Sequence, residues 1–273
     1  MIGKFSLLSP MTPKRSARIA LRQSGIHGEF RISNFRGWFL LEIFQKILYT
    51  GGIEEGRGER MLESQKMSTV EASSNYDEVY EYFRQRLLKA DHGKIAGKLQ
   101  LELDERNLYI PYFRREYAWN RETGILVPNG REVPPLVIHD QLLIIHHLYY
   151  YQEEALPSAD KIPFREIRQA ACFEGAYQKM ALKPIADAFQ GHPEKMIQRA
   201  EELGGKIEKF GDASVTFKVF PTIELTVIFW DGDEEFPASA NMLFDRNITQ
   251  WIHPESVPGL AETATRLLVA GGR

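Results

Sequence analysis

Apolar and polar residues alternate strictly along two neighbouring stretches in the last quarter of the chain. In residues 214–219 every second side chain, from Val215 to Val219, is apolar, and residues 222–229 repeat the pattern from Ile223 to Phe229. A period of two is typical of half-buried antiparallel strands. The pattern therefore predicts two paired strands, and an acidic turn leads from the second strand into a third extended segment.

Helical spacing and further alternation predict the other elements. Val79, Phe83 and Leu87 recur at i, i+4 and i+8, as on the buried face of a helix. Further predicted helices cover residues 137–154, 193–203 and 258–270, and predicted strands cover residues 99–103 and 108–113. The fold class that follows is α+β, with an antiparallel sheet flanked by helices in a single domain over residues 67–273.

The first 66 residues differ from the rest in charge. They hold 11 Lys and Arg, 6 Glu and no Asp, a net charge of +5, whereas residues 67–273 carry −8. Three interpretations are open: an organellar transit peptide, an amphipathic membrane-surface helix over residues 38–49, or translation from upstream of the true start. Residues 54–60, EEGRGER, can all be encoded by codons made of A and G, as a bacterial ribosome-binding site before Met61 would be. We favour this third interpretation, with the start at Met61 or Met67 and residues 1–66 as a mis-annotated, non-native or disordered extension.

Composition narrows the class of protein. The net charge of −3 does not suggest a nucleic-acid-binding protein, which normally carries a basic face. Cys172 is the single cysteine, so the chain holds no internal disulfide and no cysteine-ligated iron–sulfur cluster. No apolar run reaches the roughly 20 residues that a membrane span needs. We therefore expect a cytoplasmic protein with no membrane span and no nucleic-acid partner.

Three histidines and the cysteine are candidates for chemistry, but their positions favour structural roles. His146 and His147 point about 100° apart on a helix, and His139 lies about 10 Å from His146 along the axis. These spacings do not match the i, i+3 or i, i+4 pairs of metal-binding helices. Cys172 lies between Ala171 and Phe173, which favours a buried, inert thiol over a nucleophile.

The acidic turn is the most unusual chemistry in the chain. Four carboxylates, Asp231, Asp233, Glu234 and Glu235, follow Trp230 within five residues and precede Phe236. One interpretation is a hard-cation site or an acid–base pair, which Asp245 would join if the third strand folds back. A second is a solvated hairpin loop, and a third is a buried carboxylate paired with Arg165 or Arg246. The sequence assigns no cofactor, metal or catalytic residue.

Five short motifs point to a family. They are FRE at 164–166, GD at 211–212, VFP at 219–221, FWDGDEEFP at 229–237 and LFD at 243–245. In these motifs, and over roughly residues 95–270, the chain resembles the family called domain of unknown function 3786. The resemblance implies a bacterial or archaeal source, largely anaerobes, and relatives that carry or neighbour an iron–sulfur cluster domain of the kind seen in corrinoid proteins. Because this chain lacks the cluster cysteines, such a corrinoid or iron–sulfur protein would be its partner.

Two functional hypotheses follow. The first is an accessory or ligand-binding protein of anaerobic corrinoid and iron–sulfur one-carbon metabolism, with a recognition surface made of Trp230, Asp231, Asp233, Glu234, Glu235, Phe236 and Asp245. The alternative is a divalent-metal-dependent enzyme that uses Asp231, Asp233, Glu235 and Asp245. An enzyme should gather these carboxylates in a concave pocket, whereas a binding protein should display them on a flat or convex surface near exposed aromatic side chains.

Overall fold

The computed structural model describes residues 76–270. The predicted extension at residues 1–66 and its boundary at residue 67 lie outside the described residues. Within the described part, helices combine with two antiparallel sheets. The predicted α+β class, with antiparallel strands flanked by helices, is therefore confirmed.

The first half of the described chain forms the smaller sheet. A helix, α1, covers residues 76–87. It is followed by α2 (His92–Leu99), β1 (Glu102–Leu103), β2 (Asn107–Tyr112), β3 (Arg115–Asn120), β4 (Leu126–Pro128) and α3 (Ile138–Tyr150). The four strands form an antiparallel meander in the order β1-β2-β3-β4.

The second half forms the larger sheet and most of the helices. The strands are β5 (Lys161–Pro163), β6 (Lys206–Ile207), β7 (Ala213–Phe220), β8 (Ile223–Trp230) and β9 (Ser239–Asp245), in the order β5-β9-β8-β7-β6. Between β5 and β6 lie two 3₁₀ helices (Phe164–Glu166 and Arg168–Phe173), α4 (Glu174–Tyr177), a π-turn (Gln178–Leu182), α5 (Lys183–Phe189) and α6 (Pro193–Glu202). Two short 3₁₀ helices (Ile248–Gln250 and Pro254–Ser256) and α7 (Val257–Ala270) end the described chain.

The predicted strand pair is the centre of the larger sheet. β7 and β8 pair antiparallel with Val215 opposite Val227, and β9 folds back along β8 with Phe229 opposite Ala240. The apolar face predicted from alternation, from Val215 to Phe229, is buried as expected. Thr226 and Ile228 on the opposite face are also buried, so the middle of this sheet is covered on both sides.

The two sheets meet at the end of β2. The Phe113 N–H donates to the Val219 carbonyl oxygen at 3.1 Å. The Tyr112 and Phe220 rings lie 5.1 Å apart, and the Phe113 and Phe217 rings 6.2 Å apart. Aromatic contacts of this kind bury large areas, so they join the sheets into one core.

Two local predictions are wrong. The predicted strand over residues 99–103 is shortened, because Ile95, Ala96 and Leu99 are buried at helical spacing and keep α2 intact as far as Leu99. Only Glu102–Leu103 is extended. Cys172 is exposed rather than buried, since the 3₁₀ helix around it turns Ala170 and Phe173 toward the core instead.

Between residues 76 and 270, each helix is too short or too polar to span a lipid bilayer.

Candidate functional site

The acidic loop, residues 231–238, connects β8 to β9, and the Trp230–Ser239 pair closes its base. Asp231 ties this loop to its surroundings. Its Oδ1 accepts hydrogen bonds from the Gly191 N–H at 2.7 Å and the Gly232 N–H at 2.8 Å, and its own N–H donates to Asp212 Oδ2 at 2.7 Å. Asp231 therefore fixes the loop against the turn between α5 and α6.

Asp233 shapes the tip of the acidic loop. Its Oδ1 accepts from the N–H groups of Glu235 and Phe236, both at 2.8 Å, and its own N–H donates to the Phe236 carbonyl oxygen at 2.9 Å. The Phe236 and Glu235 N–H groups lower the pKa of this carboxyl, because they stabilise the ionised form. This Asx-turn balances the charge of Asp233 with backbone dipoles.

The side chains around the tip face the solvent. Glu234 and Glu235 are exposed, and two large apolar side chains accompany them: Trp230 is 40 % exposed and Phe236 is 67 % exposed. Exposed charged and aromatic side chains are thus neighbours in sequence at the end of β8 and on a loop whose backbone is held by hydrogen bonds.

Asp245 does not join this surface. The third strand folds back as predicted, but Asp245 lies at the far end of β9, about 20 Å of extended chain from the loop. It pairs there with Lys161, whose Nζ lies 2.6 Å from Asp245 Oδ1 and 3.1 Å from Glu224 Oε2. Burial raises the pKa of the Asp245 carboxyl, and Lys161 opposes this change. The prediction that Asp245 converges with the loop is therefore wrong.

Two further interpretations of the acidic loop, a carboxylate paired with Arg246 and a metal site, also disagree with the observed contacts. Arg246 pairs with Asp160 at 3.3 Å rather than with a loop carboxylate. Within residues 76–270 no group of three or more His, Cys, Asp or Glu side chains is arranged to hold a metal ion. The described residues thus do not assemble the four-carboxylate site that the enzymatic alternative requires.

A cavity of about 280 Å³ opens beside Trp230, and the sequence analysis did not identify it. Three distant segments line it: the end of β5 with the following 3₁₀ helix, the α4–π-turn segment, and the facing ends of β8 and β9. Polar lining residues include Arg165, Glu174 and Tyr177. Because these residues come together only through the fold, local spacing carries no signal for them, although Arg165 lies in the FRE motif.

The histidines of α3 occupy structural positions. His146 Nδ1 lies 2.8 Å from Ser256 Oγ, and His147 Nδ1 lies 2.9 Å from the Trp251 carbonyl oxygen. Burial lowers the pKa of His146 to about 3 and that of His147 to about 4, so both rings are neutral near pH 7. The structural interpretation of these two residues agrees with their burial, while His139 is half-buried.

The fold and site together define a two-sheet α+β protein with a hydrogen-bonded acidic loop next to a small cavity that has polar lining residues. The chain belongs to the family described as "Domain of unknown function (DUF3786)", which it matches over residues 91–267, more than half of its length. The resemblance drawn from the five motifs is therefore confirmed. No curated protein and no solved structure matches the chain.

Proposed function

We propose that this protein is an accessory protein that binds a partner protein through its acidic loop. The observation that supports this most strongly is the exposure of Phe236 and Trp230 beside four carboxylates on a loop fixed by hydrogen bonds. Aromatic anchors dominate many protein interfaces, and charges around them set the choice of partner. Because the loop is already ordered, binding costs little conformational entropy.

The loop chemistry specifies the partner surface. A partner that accepts the Phe236 side chain needs an apolar pocket, and Glu234 and Glu235 at the tip favour a rim of Lys or Arg around it. The charge of −8 on residues 67–273 adds long-range attraction toward a basic surface.

The family resemblance suggests which protein carries that surface. We infer a corrinoid or iron–sulfur protein of anaerobic one-carbon metabolism, in a bacterial or archaeal cytoplasm. The single cysteine of this chain supports placing any cluster on the partner rather than on this protein.

The test of partner binding compares a variant at the tip of the acidic loop with a control variant in another exposed segment of the chain. The loop variant combines Glu234→Gln, Glu235→Gln and Phe236→Ala, and leaves Asp231 and Asp233 to hold the backbone. The control combines Glu102→Gln, Leu103→Ala and Glu105→Gln, which alters another exposed segment with two acids and one apolar side chain.

The tagged full chain and both variants are recovered from anaerobically grown cells of the source organism, and co-purifying proteins are identified. We expect one partner to be retained by the unmodified chain and the control, and reduced at least about tenfold by the loop variant. Purified partner should then bind more weakly as salt is raised. Equal capture by all three proteins would overturn the proposal. Cobalt or iron in the captured partner supports the metabolic assignment, and a partner with neither metal refutes that part alone.

A further inference from the structure

The β6–β7 turn, residues 208–212, is bound directly to the start of the acidic loop. This turn contains the GD motif, which the acidic loop does not include. The Asp212 N–H donates to the Phe229 carbonyl oxygen at 2.9 Å, and Asp212 Oδ2 accepts the Asp231 N–H at 2.7 Å. The β6–β7 turn is therefore hydrogen-bonded to both residues that flank Trp230.

Gly211 allows this turn to approach β8 closely. Its φ of +58° is one that other residues rarely adopt. A β-carbon at this position would clash with the Phe229 carbonyl oxygen and would lie 3.2 Å from Trp230 Nε1. Glycine thus brings the backbone that follows Phe210 against the Trp230 indole.

Two exposed aromatic side chains belong to this contact region. Phe210 is 51 % exposed, and its N–H donates to Ser214 Oγ at 2.9 Å. Ser214 lies opposite Ile228 in the β7–β8 pair, and Ile228 shares a sheet face with Trp230, which is also exposed. The backbone of Phe210 therefore lies over the sheet face that carries Trp230, at the end of the sheet where the acidic loop begins.

Acidic residues dominate both segments. Residues 208–212 and 230–238 hold six acids and one base, Lys209, which gives a net charge of −5. Two neighbouring bases offset part of this charge: Lys206 pairs with Glu208 at 2.9 Å, and Arg165 lines the cavity beside Trp230. Two copies of such a surface repel each other, whereas Lys and Arg side chains of another protein are attracted to it. The charge therefore favours a basic partner over a second copy of this chain.

We propose that the partner protein contacts a two-part surface that consists of the acidic loop and the β6–β7 turn. Apolar side chains of the partner pack on Phe210 and Trp230, and Lys and Arg side chains of the partner surround them. This inference rests on the proposed function, because it concerns the partner of the same loop. It adds a second contact region, since a partner that covered Phe236 alone could leave Phe210 in contact with water.

Photo-crosslinking from single positions tests the second region. The photoreactive residue p-benzoylphenylalanine replaces Phe210, Phe236 or Ile207 in the tagged full chain, and each protein is irradiated in an anaerobic extract of the source organism. Ile207 is the control, because it is an exposed apolar residue of β6 that lies opposite Val215. The Val215 side chain is on the other sheet face from that of Trp230.

We expect positions 210 and 236 to crosslink to the same protein, and position 207 not to crosslink to it. Crosslinking from position 236 alone leaves the proposed function standing and overturns the second region. Crosslinking from position 210 to another copy of this chain also overturns it. Crosslinking from position 210 alone supports the β6–β7 turn and refutes the role of the loop tip, and no crosslink from either position overturns both proposals.

Calorimetric titration with the purified crosslinked protein then tests the side chains. Phe210→Ala should weaken binding at least about tenfold, and Ile207→Ala should change it less than twofold. Equal affinities for these two variants would overturn the proposal.

Asp212 is a positioning residue in this surface. Asp212→Ala removes the acceptor of the Asp231 N–H and should weaken binding, whereas Asp212→Asn keeps an oxygen for this hydrogen bond and should bind more tightly than Asp212→Ala. If Asp212→Ala binds as tightly as the unmodified chain, the β6–β7 turn does not position the surface.

Discussion

Individual carboxylate side chains in this protein are stabilised by different kinds of partner. Asp231 and Asp233 accept backbone N–H groups, and Asp245 pairs with Lys161. Glu255 has neither kind of partner in the described structure: its Oε2 is buried without a hydrogen bond and lies 3.8 Å from His253 Nδ1. Burial raises the pKa of Glu255 to about 7. A carboxyl in this position resists ionisation and favours the protonated form in the folded protein.

Replacing Glu255 with Gln should therefore stabilise the protein in a pH-dependent way. The folded-state pKa of about 7 lies above the ordinary carboxyl value of 4.5, so the stability that proton binding contributes is complete below pH 4.5 and is lost as the pH rises toward 7. We expect Glu255→Gln to match the unmodified protein at pH 4 and to be more stable at pH 8 by up to about 3 kcal/mol.

Urea unfolding at both pH values measures this difference. Glu132→Gln serves as the control, because Glu132 is exposed and the same substitution there should change the free energy of unfolding little. A stabilisation of the same size at pH 4 and pH 8, or a loss of stability at pH 8, would contradict the prediction.

At the scale of elements, one buried carboxylate connects three of them. Asp140, in the first turn of α3, accepts from Tyr112 Oη on β2 at 3.2 Å. On α7 it accepts from Thr263 Oγ1 at 2.9 Å and pairs with Arg266 Nη2 at 2.6 Å. Charge-assisted hydrogen bonds inside a protein are strong, so Asp140 holds the small sheet and two helices together.

The substitution Asp140→Ala should lower the free energy of unfolding by about 3 kcal/mol, since it leaves buried donors without an acceptor. Thr263→Val removes one neutral donor and should cost about 1 kcal/mol. Chemical denaturation measures both values. Asp187→Ala is the control: the Asp187 pair with Lys183 is exposed on both sides, so its loss should cost about 0.5 kcal/mol or less. Equal effects of Asp140→Ala and Asp187→Ala would show that the network does not stabilise the fold.

Elements with strong local periodicity could be predicted from the sequence, whereas features that depend on tertiary contacts could not. The alternation around Val215 and Leu225 identifies β7 and β8, and the stripe through Phe83 identifies α1. Leu99 shows the limit, because helical and extended spacing overlap at this position and burial of the helical face decides between them. The local sequence pattern also predicts the acidic loop. It does not predict that Asp245 lies at the end of β9 farthest from this loop. The cavity at Arg165 is formed by three segments that are distant in sequence, so no local sequence pattern predicts it.

At the scale of the whole molecule, the two sheets share one core through Phe220. This side chain is fully buried at the end of β7, and its ring stacks on the His147 ring at 4.1 Å and lies 5.1 Å from the Tyr112 ring. It thus contacts both the smaller sheet and helix α3. Together with the Phe113–Val219 hydrogen bond, it makes separate unfolding of either sheet unfavourable.

Truncation of Phe220 should therefore weaken both sheets equally. We expect Phe220→Ala to lower the free energy of unfolding by about 4 kcal/mol, the range for a fully buried Phe. Hydrogen exchange followed by mass spectrometry should show the same loss of opening free energy in β3 of the smaller sheet and β8 of the larger one, because the sheets unfold as one cooperative unit. Phe210→Ala, at an aromatic side chain that is about half exposed, should change neither. If protection falls only in the larger sheet, the two sheets are separate cooperative units, and Phe220 stabilises only the sheet to which it belongs.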